Sequence, residues 1–196
     1  MSKQRKQSAK PSNKGSIRII AGLHRGRKLP VLMAEGLRPT TDRVKETVFN
    51  WLMPFIQDSN CLDCFAGSGG LGFEALSRGA SHVSLIELNK AAVQQLRENQ
   101  QLLKTDHVSV INSDAIHFIE GNTQKFDVVF LDPPFRKGFI EKTTQLLNEN
   151  SLADNALIYI EMEMESEQNN QKLPLNWKLL KEKVAGQVIY RLYQKA

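Results

Sequence analysis

Two stretches of this chain carry residue types and spacings suited to chemistry on a nucleotide. The first is Asp132-Pro133-Pro134-Phe135, directly after the apolar run 128–131. A buried strand ending here delivers the tetrapeptide to the carboxyl edge of a sheet, where ligands bind in open α/β folds. The two prolines fix φ and remove two backbone donors. What remains is rich in acceptors: the Asp132 carboxylate and the carbonyls of Asp132 and Pro133. An exocyclic amine on a nucleic-acid base needs that combination. Its nitrogen lone pair is delocalised into the ring, and acceptors holding both N–H bonds can turn it toward an incoming methyl group. Phe135 supplies a flat face for stacking. With a methyl donor that is already activated, positioning supplies much of the catalysis. A rigid turn would also use two prolines, but Asp-Pro-Pro-Phe at this edge is the more specific signal.

The second stretch is Asp63-Cys64-Phe65-Ala66-Gly67-Ser68-Gly69-Gly70-Leu71-Gly72, in which Gly67, Gly69 and Gly72 satisfy G-x-G-x-x-G. Glu87 follows 20 residues after Gly67, with Leu88 beside it. A carboxylate so placed can accept hydrogen bonds from both ribose hydroxyls of a nucleoside cofactor. A tight strand-to-helix turn would explain the glycines and leave Glu87 unexplained. Nicotinamide enzymes and methyltransferases share the pairing, and Asp63 favours the second. An acid there meets the cationic ammonium of a methionine moiety, directly or through water, and repels a pyrophosphate. Asp114, in Ser113-Asp114-Ala115, can accept from an adenine amino group and cap a helix at the same time. The expected cofactor is S-adenosylmethionine, held by Asp63, Gly67, Ser68, Gly69, Glu87, Leu88, Asp114 and Ala115.

Charge is distributed unevenly. Residues 1–45 hold 12 Lys/Arg against 2 Asp/Glu, a net of +10, and the other 151 residues hold 14 against 19, a net of −5. A basic arm on an acidic body suits a polyanion gripped at one end. A solvated tail would account for the lysines up to Lys14. It fits Arg18, Arg25, Arg27, Lys28, Arg38 and Arg43 less well, because Ile, Leu, Val and Gly interleave them. With Arg136 and Lys137 beside the tetrapeptide, these are the candidate RNA contacts. No run approaches the ~20 apolar residues of a membrane span, and the first 14 residues lack the apolar core of a secretory signal, so a cytoplasmic protein is expected. Cys61 and Cys64 lie in an apolar run with no second pair or nearby histidine. They read as core thiols on opposite faces of a strand, and no metal is expected.

These residues require a frame. Short strands are expected at 17–20 and 28–32, then a helix capped by Thr41 or Asp42 with Val44, Val48, Phe49, Leu52 and Phe55 turned inward. Apolar runs at 61–66, 83–88, 108–112, 128–131 and 156–160 then alternate with helices at 71–78, 90–103, 115–120 and 139–150. That alternation predicts an α/β fold with a parallel sheet covered on both faces. Segments 177–184 and 187–193 flank Ala185-Gly186 as a hairpin. The expected organisation is a disordered basic tail (1–15), an RNA-binding extension of hairpin and helix (16–58) and a catalytic domain (59–196).

The motifs resemble the amino-methyltransferases of the class I, Rossmann-like fold. Together with Arg18-Ile19-Ile20-Ala21-Gly22, Arg25-Gly26-Arg27-Lys28-Leu29 and Leu37-Arg38-Pro39-Thr40-Thr41-Asp42-Arg43-Val44-Lys45-Glu46, they are similar to the RsmD family from about Ile17 to the C-terminal hairpin. The resemblance implies a mostly parallel seven-stranded sheet with a C-terminal antiparallel hairpin and a small basic N-terminal extension. It also implies S-adenosylmethionine-dependent methylation of a guanine N2 amine in 16S (small-subunit) ribosomal RNA, with Asp132, Pro133 and Phe135 at the reacting centre. The substrate would be the small subunit or its assembly intermediate, and the protein a monomer. Without the resemblance the same residues fit an adenine-N6 methyltransferase on DNA or RNA. A nicotinamide oxidoreductase would leave residues 132–135 idle, and a non-catalytic binder would leave the whole site idle.

Overall fold

In the computed structural model, which describes residues 14–32, 41–134, 138–164 and 172–196, the apolar runs pair as one seven-stranded sheet. Strands β3 (Asn60–Asp63), β4 (His82–Glu87), β5 (Val108–Asn112), β6 (Phe126–Leu131) and β7 (Leu152–Glu163) are parallel. Strands β8 (Trp177–Ala185) and β9 (Val188–Lys195) form the antiparallel hairpin, with β9 on β7. The order is β5-β4-β3-β6-β7-β9-β8. The chain therefore winds outward from β3 to β5, then returns to β6 on the other side of β3. That reversal opens a crevice outside the carboxyl ends of β3 and β6, where the glycine loop and the Asp132 tetrapeptide both begin.

Helices α1 (Asp42–Leu52), α2 (Gly70–Ser77) and α3 (Lys90–Leu103) pack on one face of the sheet, and α4 (Ala115–Glu120) and α5 (Phe139–Asn150) on the other. Strands sandwiched this way are apolar on both sides, which is why β6 carries four consecutive apolar residues, Val128 to Leu131. Cys61 packs into one core and Cys64 into the other, both as buried free thiols. Among the described residues no helix is long and apolar enough to cross a membrane.

The first hairpin differs from expectation in register. β1 spans Lys14–Arg18 and pairs with β2 (Lys28–Leu32), so the expected tail boundary at residue 15 falls inside a strand. Past β1, Ile19 still exchanges backbone bonds with Arg27 and Gly26, and the N–H groups of Ile20 and Ala21 turn to the body. They donate to the Glu74 carboxylate of α2 at 2.8 and 3.1 Å. Glu74 is fully buried and also accepts from Arg78 at 2.7 Å. Ser77 adds a bond from the His24 N–H, and its carbonyl accepts from Leu23. Gly22 passes so close to the Ser77 carbonyl that a Cβ would collide with it, and its φ of +79° suits glycine.

The extension is thus latched to the body, not appended to it. Ile17, Ile19, Leu29, Val31, Val48 and Phe49 belong to the same core as Phe73, Leu85 and Phe130. Helix α1 starts at the expected Thr41 cap but stops at Leu52, leaving Phe55 exposed. Its inward face includes Lys45, buried to 1% exposure, whose Nζ donates to the Arg18 carbonyl at 2.5 Å.

Candidate active site

The glycine loop is held at both ends by carboxylates. At its start, the Gly67 N–H donates to Glu87 Oε2 at 2.9 Å, and the Asn89 N–H donates to Oε1 at 2.7 Å. At its end, the Gly72 N–H donates to Asp63 Oδ2 at 3.2 Å, and the Phe65 N–H also serves the Asp63 carboxyl. Gly69 caps α2 with φ +78°, and a Cβ there would sit 2.5 Å from the Phe73 ring. A Cβ on Gly72 would collide with Leu85. The G-x-G-x-x-G spacing therefore serves a sharp turn and a close helix-to-strand approach.

Asp63 is 2% exposed, and burial pushes its carboxyl up to about 7. The Phe65 and Gly72 N–H groups oppose that rise, while the charges of Glu87 and Glu161 add to it. Next along the edge, the Asn112 side-chain amide donates to the Glu87 and Leu88 carbonyls at 3.0 and 2.9 Å. Leu88 is 67% exposed, an apolar surface beside the acid. Asp114 is the N-cap of α4, and both cap bonds, from Ile116 and His117, end on Oδ1. Ala115 turns its methyl into the core, leaving its backbone as what it can offer a ligand. Asp63, Gly67, Ser68, Gly69, Glu87, Leu88 and Asp114 thus line the carboxyl ends of β3, β4 and β5 in sequence.

Asp132 and Pro133 follow β6 across the crevice, Asp132 half-buried and Pro133 buried. Phe135, Arg136 and Lys137, as well as Arg38, lie outside the described residues. Sequence reasoning missed Glu161, the acid that closes the apolar run of β7. It is 8% exposed and accepts the Tyr159 hydroxyl proton at 2.7 Å. Its signal is the one that marked Asp63 and Asp132: an acid at the carboxyl end of a buried strand.

A family model described as "Conserved hypothetical protein 95" matches residues 17–194. Ribosomal RNA small subunit methyltransferase D of Escherichia coli K12 is 56% identical over 189 residues, 95% of this chain and 94% of that protein. The protein of the same name from Haemophilus influenzae is 57% identical over 189 residues, 94% of this chain and 96% of that one. The chain belongs to the RsmD family. The solved structure of Escherichia coli yhhF matches with a TM-score of 0.85 and 54% identity, covering 92% of this chain and 98% of that one. The sheet is that of the Rossmann-like class I methyltransferases, as expected from the alternating runs.

In this RsmD-family chain the basic residues of the extension divide into two groups. Arg18 pairs with Asp42 at 2.8 Å, and Arg27 donates to the Leu102 carbonyl at the end of α3 at 2.8 Å. Arg25, Lys28 and Arg43 are exposed. Val31 and Leu32 of β2 share a small cleft with Gly67, Ser68, Ala92, Gln95 and Leu96, so the hairpin borders the glycine loop directly.

The Asp63 carboxyl makes stability depend on pH. Its ordinary value is 3.8, against about 7 in the folded chain. Between those values the folded state keeps a proton that the unfolded chain has released. The stability from this site is therefore full at low pH and falls as pH rises toward about 7. Asp63→Asn has no such proton, so relative to wild type it should gain about 2–4 kcal/mol between roughly pH 4.5 and 7.5. Urea unfolding of both proteins at the two pH values checks this. A difference that stays constant would mean that Asp63 is ionised throughout.

Proposed function

We propose that this chain transfers the methyl group of S-adenosylmethionine to the exocyclic N2 amine of a guanine in small-subunit ribosomal RNA. The observation that supports the reading is that the carboxylate-held glycine loop, Glu87 and the Asp132-Pro133-Pro134 turn open on one crevice, at the β3/β6 reversal. The names of the relatives from Escherichia coli and Haemophilus influenzae support the substrate class.

The residues present fit the cofactor. Each Glu87 oxygen accepts one backbone N–H, and a carboxylate has about four acceptor positions, which leaves capacity for two ribose hydroxyls. Leu88 can lie against the adenine, and Asp114, with its cap bonds on Oδ1, can take the adenine amine on Oδ2. The buried Asp63 is stabilised in its charged form by a nearby ammonium. When bound, S-adenosylmethionine supplies a methyl group on an electron-poor sulfur. Asp132 accepts an N–H of the target amine, turns the nitrogen lone pair toward that methyl group, and holds the proton that the nitrogen sheds as the new bond forms. Phe135 stacks on the base.

Arg25, Lys28 and Arg43, with Arg38, Arg136 and Lys137, grip RNA phosphates around the crevice. Arg18 and Arg27 also keep the extension in place. The substrate is the small subunit or its assembly intermediate, and the protein works in the cytoplasm as a monomer.

The direct test incubates the protein and labelled S-adenosylmethionine with small-subunit ribosomal RNA from cells that lack it, followed by nucleoside analysis. N2-methylguanosine is expected, and Asp132→Ala should slow single-turnover transfer by about a hundredfold or more with RNA affinity retained. N6-methyladenosine as the product, or an unaffected Asp132→Ala rate, contradicts the reading.

For the basic surface, replacing Arg25 and Lys28 together should weaken RNA binding. The dependence of log affinity on log salt should become shallower by up to ~0.9 per lost phosphate contact. Filter binding across a salt series measures this; identical slopes and affinities would move the RNA surface away from the hairpin.

A further inference from the structure

β7 lies beside β6 in parallel, and Leu131 pairs with Ile160. Asp132 and Glu161 are the next residues on these neighbouring strands, which are spaced about 5 Å apart. They belong to the same side of the sheet: residues two apart on a strand share a face, and Phe130 and Tyr159 pack into one core. The Tyr159 hydroxyl feels the charges of both Glu161 and Asp132. Asp63, across the crevice, also feels Glu161. Glu161 therefore stands beside the reacting centre, on the side of β6 away from the glycine loop.

It is firmly held there. Tyr159 donates to Oε1 at 2.7 Å, and its own ring is fixed edge-on against Phe130, with centroids 6.3 Å apart. Tyr190, the cross-strand partner of Glu161, packs against Trp51 of α1 at 5.8 Å. Satisfying one tyrosine hydroxyl does not require a carboxylate, whose burial costs more than that bond returns. Burial pushes the Glu161 carboxyl up and the Tyr159 hydroxyl pulls it back. A second N–H donor on Oε2 would favour the charged form further.

We propose that Glu161 reads the Watson–Crick edge of the target base, Oε2 accepting the guanine N1–H while Asp132 accepts an N–H of the adjacent 2-amino group. This rests on the guanine-N2 reading above. Guanine presents N1–H and the 2-amino group as neighbouring donors, and two neighbouring carboxylates are their complement. Adenine carries a lone pair at N1 beside its amine, which a carboxylate repels. Bases taken out of a stack are read on this edge.

The test separates recognition from packing. An RNA fragment is prepared with guanine or 2-aminopurine at the methylated position. 2-Aminopurine keeps the 2-amino group but has a lone pair at N1. Wild type should favour guanine by about ten- to a hundredfold in kcat/KM. Glu161→Gln can turn its amide N–H toward that lone pair, so the preference should shrink by about the same factor, with S-adenosylmethionine affinity unchanged. Tyr159→Phe keeps the carboxylate and should keep the guanine preference with slower turnover. An equal loss on both RNAs in Glu161→Gln, or loss of preference in Tyr159→Phe, overturns the assignment. If wild type makes N2-methylguanosine and the Glu161→Gln ratio does not move, Glu161 alone fails. If the natural product is N6-methyladenosine, the guanine reading fails and takes Glu161 with it.

Discussion

The crevice takes its shape from the carboxylate of Glu87, which accepts the Gly67 N–H at 2.9 Å and so ties the end of β4 to the loop that follows β3. With Asp63 fixing the other end at Gly72, the loop has no freedom to drift, and α2 is aimed by it. α2 in turn presents Glu74 and Ser77, which capture the backbone of residues 20–24. A chain of backbone-to-side-chain bonds thus runs from Glu87 and the glycine loop to the basic hairpin. Carboxylates are well suited to this work, because a charged acceptor forms a stronger bond to a backbone N–H than a neutral one does. The cost is that Asp63 and Glu74 must be buried, and Asp63 shows that cost in its raised protonation range.

That connectivity changes how the charge asymmetry is understood. A net of +10 on residues 1–45 against −5 elsewhere marks a basic arm on an acidic body, with no statement of how the two are joined. The hairpin shares a core with the sheet and borders the glycine loop. Its cations stand at a fixed place relative to Asp132. On the proposed function, RNA gripped by them would be delivered to the crevice, and a fixed geometry of this kind would lower the entropic cost of bringing base and methyl donor together.

Much of this was legible in the sequence, and the exceptions share a physical cause. Helix α3 begins after Asn89 and α4 after Asp114, whose side chains accept from the first-turn N–H groups. Such caps are local, so the helix bounds expected from sequence hold. The glycine loop and Glu87 were legible because their spacing encodes one strand–loop–helix–strand unit. Glu74 and Lys45 were not. In sequence Glu74 is a polar residue in Leu71-Gly72-Phe73-Glu74-Ala75, as suited to solvent as to a core. Its partners Ile20 and Ala21 lie 54 and 53 residues away. Lys45 likewise finds its acceptor at Arg18, 27 residues back. Local pattern cannot announce a bond whose other half arrives through tertiary packing.

On the proposed function, the Glu87 carboxylate that shapes the loop also holds the cofactor. Calorimetric titration of S-adenosylmethionine into wild type and Glu87→Ala tests it most directly. Loss of charge-assisted bonds worth about 1.5–3 kcal/mol predicts binding weaker by roughly ten- to a hundredfold. Equal affinity in the two proteins would contradict the account.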